Sequence, residues 1–376
     1  MTTKADIKID YDHSILSISN SLLQHFNVEH KYKSLSTLDN ILAENYKNVV
    51  LLILDGMGID IMKKNLPENS FLQKHIVCSV SSVFPPTTAA ATTAIHSGLP
   101  PIASGWLGWM NYFPQYDKII EVFRNKEFYS GKPIEPPFPA ETLLKYKSIY
   151  QKIVEQNPDM EYYRAFPAFE PDGAKDFAEI CAKIEKFCNA DNKRKIISAY
   201  WTEPDHAIHY RGADCKEVKR ILRKINRNLK NLAEKLHDTL LIITADHGAM
   251  DVEQVQMNQY ADFCQTFVRP PSLESRFVNF FIKDEKKAEF KHLFQQYFGE
   301  DFLLYEREEF LASGILGNGE KNPLVDGFLG NFMAIAFGKR TIWYSTGELA
   351  FKPMIAEHAG FSEAELQVPL IIIKQK

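Results

Sequence analysis

Five short stretches hold the residue types that could do chemistry. They are "LLILDGMG" around Asp55, "PDHAIHYRG" around Asp205 and His209, "TADHGAMD" around Asp246 and His247, "IAEHAGFSEAELQVPLIII" around His358, and "VFPPTTAAATTAIHSGLPP" from Val83 to Pro101. The first four combine carboxylates and imidazoles and contain no cysteine. Such sets suit zinc, or manganese where carboxylates dominate. Asp205 and His209 are four positions apart, so one helical turn places both on one side, while His206 points about 100° away. Gly248, directly after His247, allows close backbone approach. Any one Asp behind a strand also has an ordinary reading, because Asp starts turns and caps helices. The fifth stretch reads as a small helix between prolines and a glycine. Its side chains are hydroxyls and methyls, where larger helix formers would serve as well.

The elements that must position these residues alternate. Buried strands are expected in "NVVLLILDG" running into Asp55, "KIISAYW" running toward Asp205, and "TLLIITADHG" running into Asp246, with further strands from Asn331 and Val368. Cys215 to Leu236 carries Val218, Ile221, Leu222, Ile225, Leu229, Leu232 and Leu236 on one stripe, the pattern of an amphipathic helix. Strand and helix in alternation predict an α/β fold with a mostly parallel sheet covered on both faces. In such sheets ligands bind beyond the carboxyl ends of the strands, where Asp55, Asp205, Asp246 and His247 would meet.

Composition narrows the function class. The 376 residues carry 44 basic and 48 acidic side chains, a net charge of -4, so no basic excess is available to neutralise a nucleic-acid backbone. The apolar runs are strand-length, too short to span a membrane, and "MTTKADIKIDYDHS" has no apolar leader segment. Five scattered cysteines without a CxxC pair fit reduced thiols and a cytoplasmic location.

In these segments and in their order, the chain from about residue 47 to its end resembles the alkaline phosphatase superfamily. Within it, the likeness is to the nucleotide pyrophosphatase/type I phosphodiesterase branch. The resemblance implies a single catalytic domain over residues 1–376, built as a three-layer sandwich around a mostly parallel sheet. An accessory cap is expected at about 257–330, and the irregular stretch 112–192 is a second candidate for it. The resemblance also implies two divalent ions, zinc or manganese. Asp205, His209 and His358 would hold one; Asp55, Asp246, His247 and the nucleophile's oxygen would hold the other. In this branch the nucleophile lies ten residues before the glycine that closes its helix, which from Gly98 gives Thr88, with Thr87 its rival. A helix start presents free N–H groups and the positive end of the dipole to a phosphate. On this reading Ala89 to Ala91 keep the first turn thin.

The expected activity is cleavage of a phosphodiester or pyrophosphate bond through a phospho-threonine, on a small phosphate ester such as a nucleotide. A phosphomonoesterase or phosphonate hydrolase of the same fold is the alternative, and a non-catalytic binding protein a third. Two departures bear on substrate. Ala89 stands where nucleotide-binding relatives often have an aromatic residue, and Trp109 stands where a phosphate-holding asparagine is usual, with Asn111 two residues on. Trp109 and Asn111 are therefore the substrate-binding candidates. The aromatic cluster Trp106, Trp109, Tyr112 and Phe113 reads equally as core or as a substrate-facing wall.

Overall fold

The run Asn48–Leu54 is buried at every position, as a strand must be when helices cover both faces of its sheet. In the computed structural model, which describes residues 3–347 and 353–376, it lies inside a six-stranded sheet. The spatial order is Ile76–Ser81, Gln367–Gln375, Thr239–Thr244, Asn48–Leu54, Arg194–Trp201 and Met160–Ala165. The last four are mutually parallel, and Gln367–Gln375 runs antiparallel to both of its neighbours. Helices Ile15–His25, Thr88–Ser97 and Ile149–Gln156 pack together as one group, and Ile59–Asn65, Phe177–Cys188 and Lys216–Ala233 interlock through the last of them as a second. With the sheet they share one continuous core, which gives the three layers of an α/β sandwich.

A second sheet of seven antiparallel strands stands beside the first. Its order is Phe302–Glu306, Phe332–Ala336, Phe277–Phe280, Ser272–Leu273, Met110–Phe113, Lys118–Glu121 and Lys126–Glu127. This accessory sheet draws strands from both irregular stretches of the sequence. The strand expected from Asn331 belongs here, at Phe332–Ala336, and not to the central sheet. Conversely, much of 112–192 is central structure. Helices Ile149–Gln156 and Phe177–Cys188 flank the edge strand Met160–Ala165. The edge strand Ile76–Ser81 was missed because its half-exposed, mixed sequence "IVCSVS" lacks the apolar run of its neighbours.

The amphipathic helix is observed as Lys216–Ala233, with Val218, Leu222, Ile225, Leu229 and Leu232 buried. Removing the Leu229 side chain leaves a cavity in this face, while Arg227 projects into solvent. Leu229→Ala is expected to cost about 2–5 kcal/mol, and Arg227→Ala to stay within about 0.5 kcal/mol. Urea denaturation of the two variants checks the contrast.

Candidate active site

Asp55 follows directly on the parallel strand Asn48–Leu54, and Asp246 stands two residues past the end of Thr239–Thr244, both at carboxyl ends. Asp205 opens the short helix Asp205–Arg211, four residues beyond the strand Arg194–Trp201. The adjacent registers of these three strands bring the residues together although they are far apart in sequence. Gly56 makes the approach possible. Its φ is +71°, and a Cβ there would meet the Asp205 Cβ at 2.7 Å. The backbone closes the contact, since the Asp205 N–H donates to the Asp55 carbonyl at 3.0 Å.

Three imidazoles face these carboxylates in one orientation. His209 Nδ1 lies 2.8 Å from the Ala356 carbonyl, His247 Nδ1 is 2.9 Å from that of Gly248, and His358 Nδ1 is 3.1 Å from that of Pro86. A carbonyl only accepts, so each Nδ1 carries a proton and Nε2 is the nitrogen left to face the cluster; on His209 that Nε2 is protonated too and donates to Asp205, a proton that a bound cation would displace. Those Nε2 atoms point inward. His209 Nε2 is 3.2 Å from Asp205 Oδ2, and His358 Nε2 is 3.9 Å from Asp205 Oδ1. His247 Nε2 is 3.4 Å from Asp55 Oδ1 and 3.5 Å from Asp246 Oδ2. The ring centroids of His247 and His358 are 3.8 Å apart. His206 is exposed and takes no part.

The electrostatics are those of a cluster short of positive charge. Burial raises the Asp55 carboxyl well above the usual range, and the charges of Asp246 and Asp205 push the same way. Burial raises Asp246 too. Burial would also raise Asp205, but the charge and hydrogen bond of His209 outweigh it and hold that carboxyl low. Burial would lower His209, yet the Asp205 charge lifts it to about 10. One oxygen on each carboxylate, Asp55 Oδ1, Asp205 Oδ1 and Asp246 Oδ2, is buried without a hydrogen-bond partner. Orphaned carboxylate oxygens beside imidazole lone pairs fit divalent cations. The ligand atoms of Asp205, His209 and His358 lie within 4.8 Å of one another, as do those of Asp55, Asp205 and His247. Asp205 stands in both groups.

Thr88 is the first residue of the helix Thr88–Ser97, which ends at Gly98 with φ 71°. The residue is half-buried, and its Oγ1 is 3.2 Å from His247 Nε2. The Thr87 hydroxyl is fully buried and donates to Glu274 Oε1 at 2.7 Å. Ala90 and Ala91 are packed in the core of the central sheet and Ala89 in that of the accessory sheet. These alanines are small because two cores meet at this turn, a reason the sequence does not disclose.

Trp109 and Asn111 lie at the start of the strand Met110–Phe113. The Trp109 amide donates to Glu274 Oε1 at 2.7 Å, and its ring meets Phe123 edge-on with centroids 5.6 Å apart. Asn111 is buried, and its Nδ2 donates to the Gly108 carbonyl at 2.9 Å. Trp106, Tyr112 and Phe113 are core.

Two further residues escaped sequence reasoning. Tyr200 ends inside the cluster, its hydroxyl donating to Asp55 Oδ2. Glu274 reaches in from the accessory sheet, and burial lifts its carboxyl to about 7. Tyr200 stood in the quoted strand one residue before Trp201; its alternation toward the cluster was the only available signal.

Residues 49–297 match the sequence profile of the Type I phosphodiesterase / nucleotide pyrophosphatase family. A search of curated proteins finds no match. Among solved structures, murine ectonucleotide pyrophosphatase / phosphodiesterase 5 is similar with a TM-score of 0.64 at 18 % identity, over 86 % of this chain and 87 % of that one. An inactive form of the murine protein in complex with AMP gives 0.63 at 17 % identity, over 87 % of both chains. Phosphonoacetate hydrolase from Sinorhizobium meliloti 1021, in complex with phosphonoformate, gives 0.60 at 14 % identity, over 87 % and 90 %. These likenesses carry the fold.

Tyr200→Phe removes the one hydroxyl that satisfies Asp55 Oδ2. The expected cost in metal-free protein is about 1–3 kcal/mol, the penalty of a buried acceptor left unpaired. Equilibrium urea unfolding measures it, and an unchanged midpoint would show that Asp55 finds another partner.

Proposed function

Because the chain belongs to the Type I phosphodiesterase / nucleotide pyrophosphatase family, we propose that it hydrolyses phosphodiester or pyrophosphate bonds with Thr88 as nucleophile. The observation that carries the reading is the shared orientation of His209, His247 and His358. Each holds its Nδ1 against a backbone carbonyl and turns Nε2 toward a carboxylate that keeps an unpaired oxygen.

Two divalent ions, zinc by donor chemistry, would be held by Asp205, His209 and His358, and by Asp55, Asp246, His247 and Thr88. When bound they supply positive charge to the phosphate and acidify the oxygens attached to them. The chain's own residues do the rest. The Thr88 hydroxyl, half-buried at the helix start, loses its proton to water as its oxygen attacks phosphorus; the bond to the ester oxygen breaks, that oxygen leaves as the alcohol with a proton from water, and a water molecule then hydrolyses the phospho-threonine to the phosphomonoester and free Thr88. Free N–H groups of the first turn orient the phosphate oxygens. Tyr200 holds Asp55 by one oxygen and leaves the other for the site. Of the two substrate-binding candidates Trp109 is the better supported, because its amide shares Glu274 with Thr87. The cytoplasmic expectation is kept, supported by five free thiols. Among the described residues no helix is long and apolar enough to cross a membrane.

Diesters are the favoured substrates on charge. A monoester dianion needs an added cation. No Lys or Arg occurs between Val77 and Tyr116. Arg211 is exposed and paired with Glu217 at 3.1 Å, and Arg276 is buried against Glu365. Phosphonate hydrolysis is the second reading, favoured by the fold shared with phosphonoacetate hydrolase.

Two outcomes test this. Metal analysis of protein purified without chelator should give about two equivalents. Thr88→Ala should abolish turnover with the fold intact, Thr88→Ser should keep part of it, and Thr87→Ala should do far less. Reversed alanine phenotypes would move the nucleophile to Thr87. Separately, kcat/KM for bis-p-nitrophenyl phosphate should exceed that for p-nitrophenyl phosphate under the same metal conditions. A preference for the monoester overturns the diester assignment.

A further inference from the structure

Arg276 and Glu365 are both fully buried and meet as a fork. Arg276 Nε donates to Glu365 Oε1 at 2.7 Å and Nη2 to Oε2 at 2.9 Å. Desolvating such a pair costs about as much as the pairing returns, so stability alone gives weak reason for it. What the pair reaches is more telling. Glu365 Oε1 also accepts the Gly360 N–H at 2.7 Å, and Oε2 accepts the Ser362 hydroxyl at 2.7 Å and N–H at 3.2 Å. That is the loop carrying His358. The Glu365 carbonyl accepts the Gly248 N–H at 2.8 Å, which fixes the loop carrying His247. On the other side, Arg276 donates to the carbonyls of Arg340 at 2.8 Å and Gly338 at 3.0 Å, and its own carbonyl accepts the Ala336 N–H at 2.9 Å. Arg276 immediately precedes the accessory strand Phe277–Phe280.

The His358 loop is one that needs holding. Ala359, next in sequence, has φ 81°, a left-handed conformation that costs a residue with a Cβ about 1–2 kcal/mol. Gly360 then lets the guanidinium close in, since a Cβ there would meet Arg276 Nη2 at 2.8 Å.

We propose that Arg276 and Glu365 form a positioning pair, through which the accessory sheet holds the His358 and His247 loops at the separation the metal centre requires. The inference rests on the two-metal reading above and adds that the accessory sheet is part of how the centre is assembled. Neither residue touches the reacting atoms.

The test is a cobalt titration of chelator-treated protein, read by visible absorption, on the wild type and on Arg276→Lys and Glu365→Gln. Folding is verified by near-ultraviolet circular dichroism. The expected result is a cobalt affinity about 10–100-fold weaker in both variants, the usual loss when the support of a ligand is removed. The double variant Arg276→Met with Glu365→Leu replaces the pair by apolar side chains. It should regain stability to urea while its cobalt affinity stays weak, which a merely structural role would not produce. Wild-type affinity in folded single variants or in the double variant overturns the positioning role. A wild type that takes up no cobalt overturns the two-metal reading itself, and this inference with it.

Discussion

The carboxylates of Asp55, Asp205 and Asp246 are buried together, and among the described residues imidazoles are the only basic side chains paired with them. An isolated buried carboxylate is costly and tends to neutralise by taking a proton. The rise of Asp55 and Asp246 and the opposite fall of Asp205 are how this cluster divides that cost. Most of the surrounding structure answers to it. Gly56 permits the close approach, Tyr200 satisfies one oxygen, and three carbonyls fix the imidazoles with Nε2 inward. A core that wanted only stability would not gather these groups.

The accessory sheet meets this cluster at two points of different character. Glu274 binds the Thr87 hydroxyl and the Trp109 amide through one oxygen, joining the start of the helix Thr88–Ser97 to the first strands of that sheet. Arg276, two residues on, binds Glu365 and so the loops behind His247 and His358. Both contacts leave from the turn between Ser272–Leu273 and Phe277–Phe280. One short turn therefore touches both the hydroxyl side and the imidazole side of the site. A sheet engaged in this way is more than a lid over a finished centre.

What was legible in the sequence followed from periodicity and local spacing. The three parallel strands ending near aspartates are visible because both of their faces are buried, and Asp205 with His209 because one helical turn relates them. The helix Lys216–Ala233 announces itself by its stripe. What was illegible depends on contacts between distant segments. Nothing near Glu365 or Arg276 in the sequence announces their pairing, since a contact across 89 positions leaves no local mark. The strand Phe332–Ala336 is as apolar as a central strand, and only its antiparallel partners reveal the other sheet. Asn111 shows the converse limit, where a plausible phosphate contact by type is buried against the Gly108 carbonyl.

Thr87 and Thr88 show most clearly how burial assigns roles that chemistry alone leaves open. Both are β-branched alcohols with the same intrinsic reactivity, and both stand at one helix start. The N-cap residue Thr87 has extended backbone angles, φ -137° and ψ 149°, which turn its side chain away from the helical face and onto Glu274. Its proton is committed to a buried carboxylate whose burial lifts it to about 7, so releasing that hydroxyl would strand two buried polar groups. Thr88, one step into the helix, faces His247 and solvent, where a ligand can exchange with water at little cost. The same turn also buries Ala89 under the accessory sheet, so a bulky ring at that position would collide with the Phe84 and Phe277 core. Packing thus keeps the position after Thr88 small, and the Thr87 hydroxyl and the Trp109 amide meet on Glu274 at the same turn.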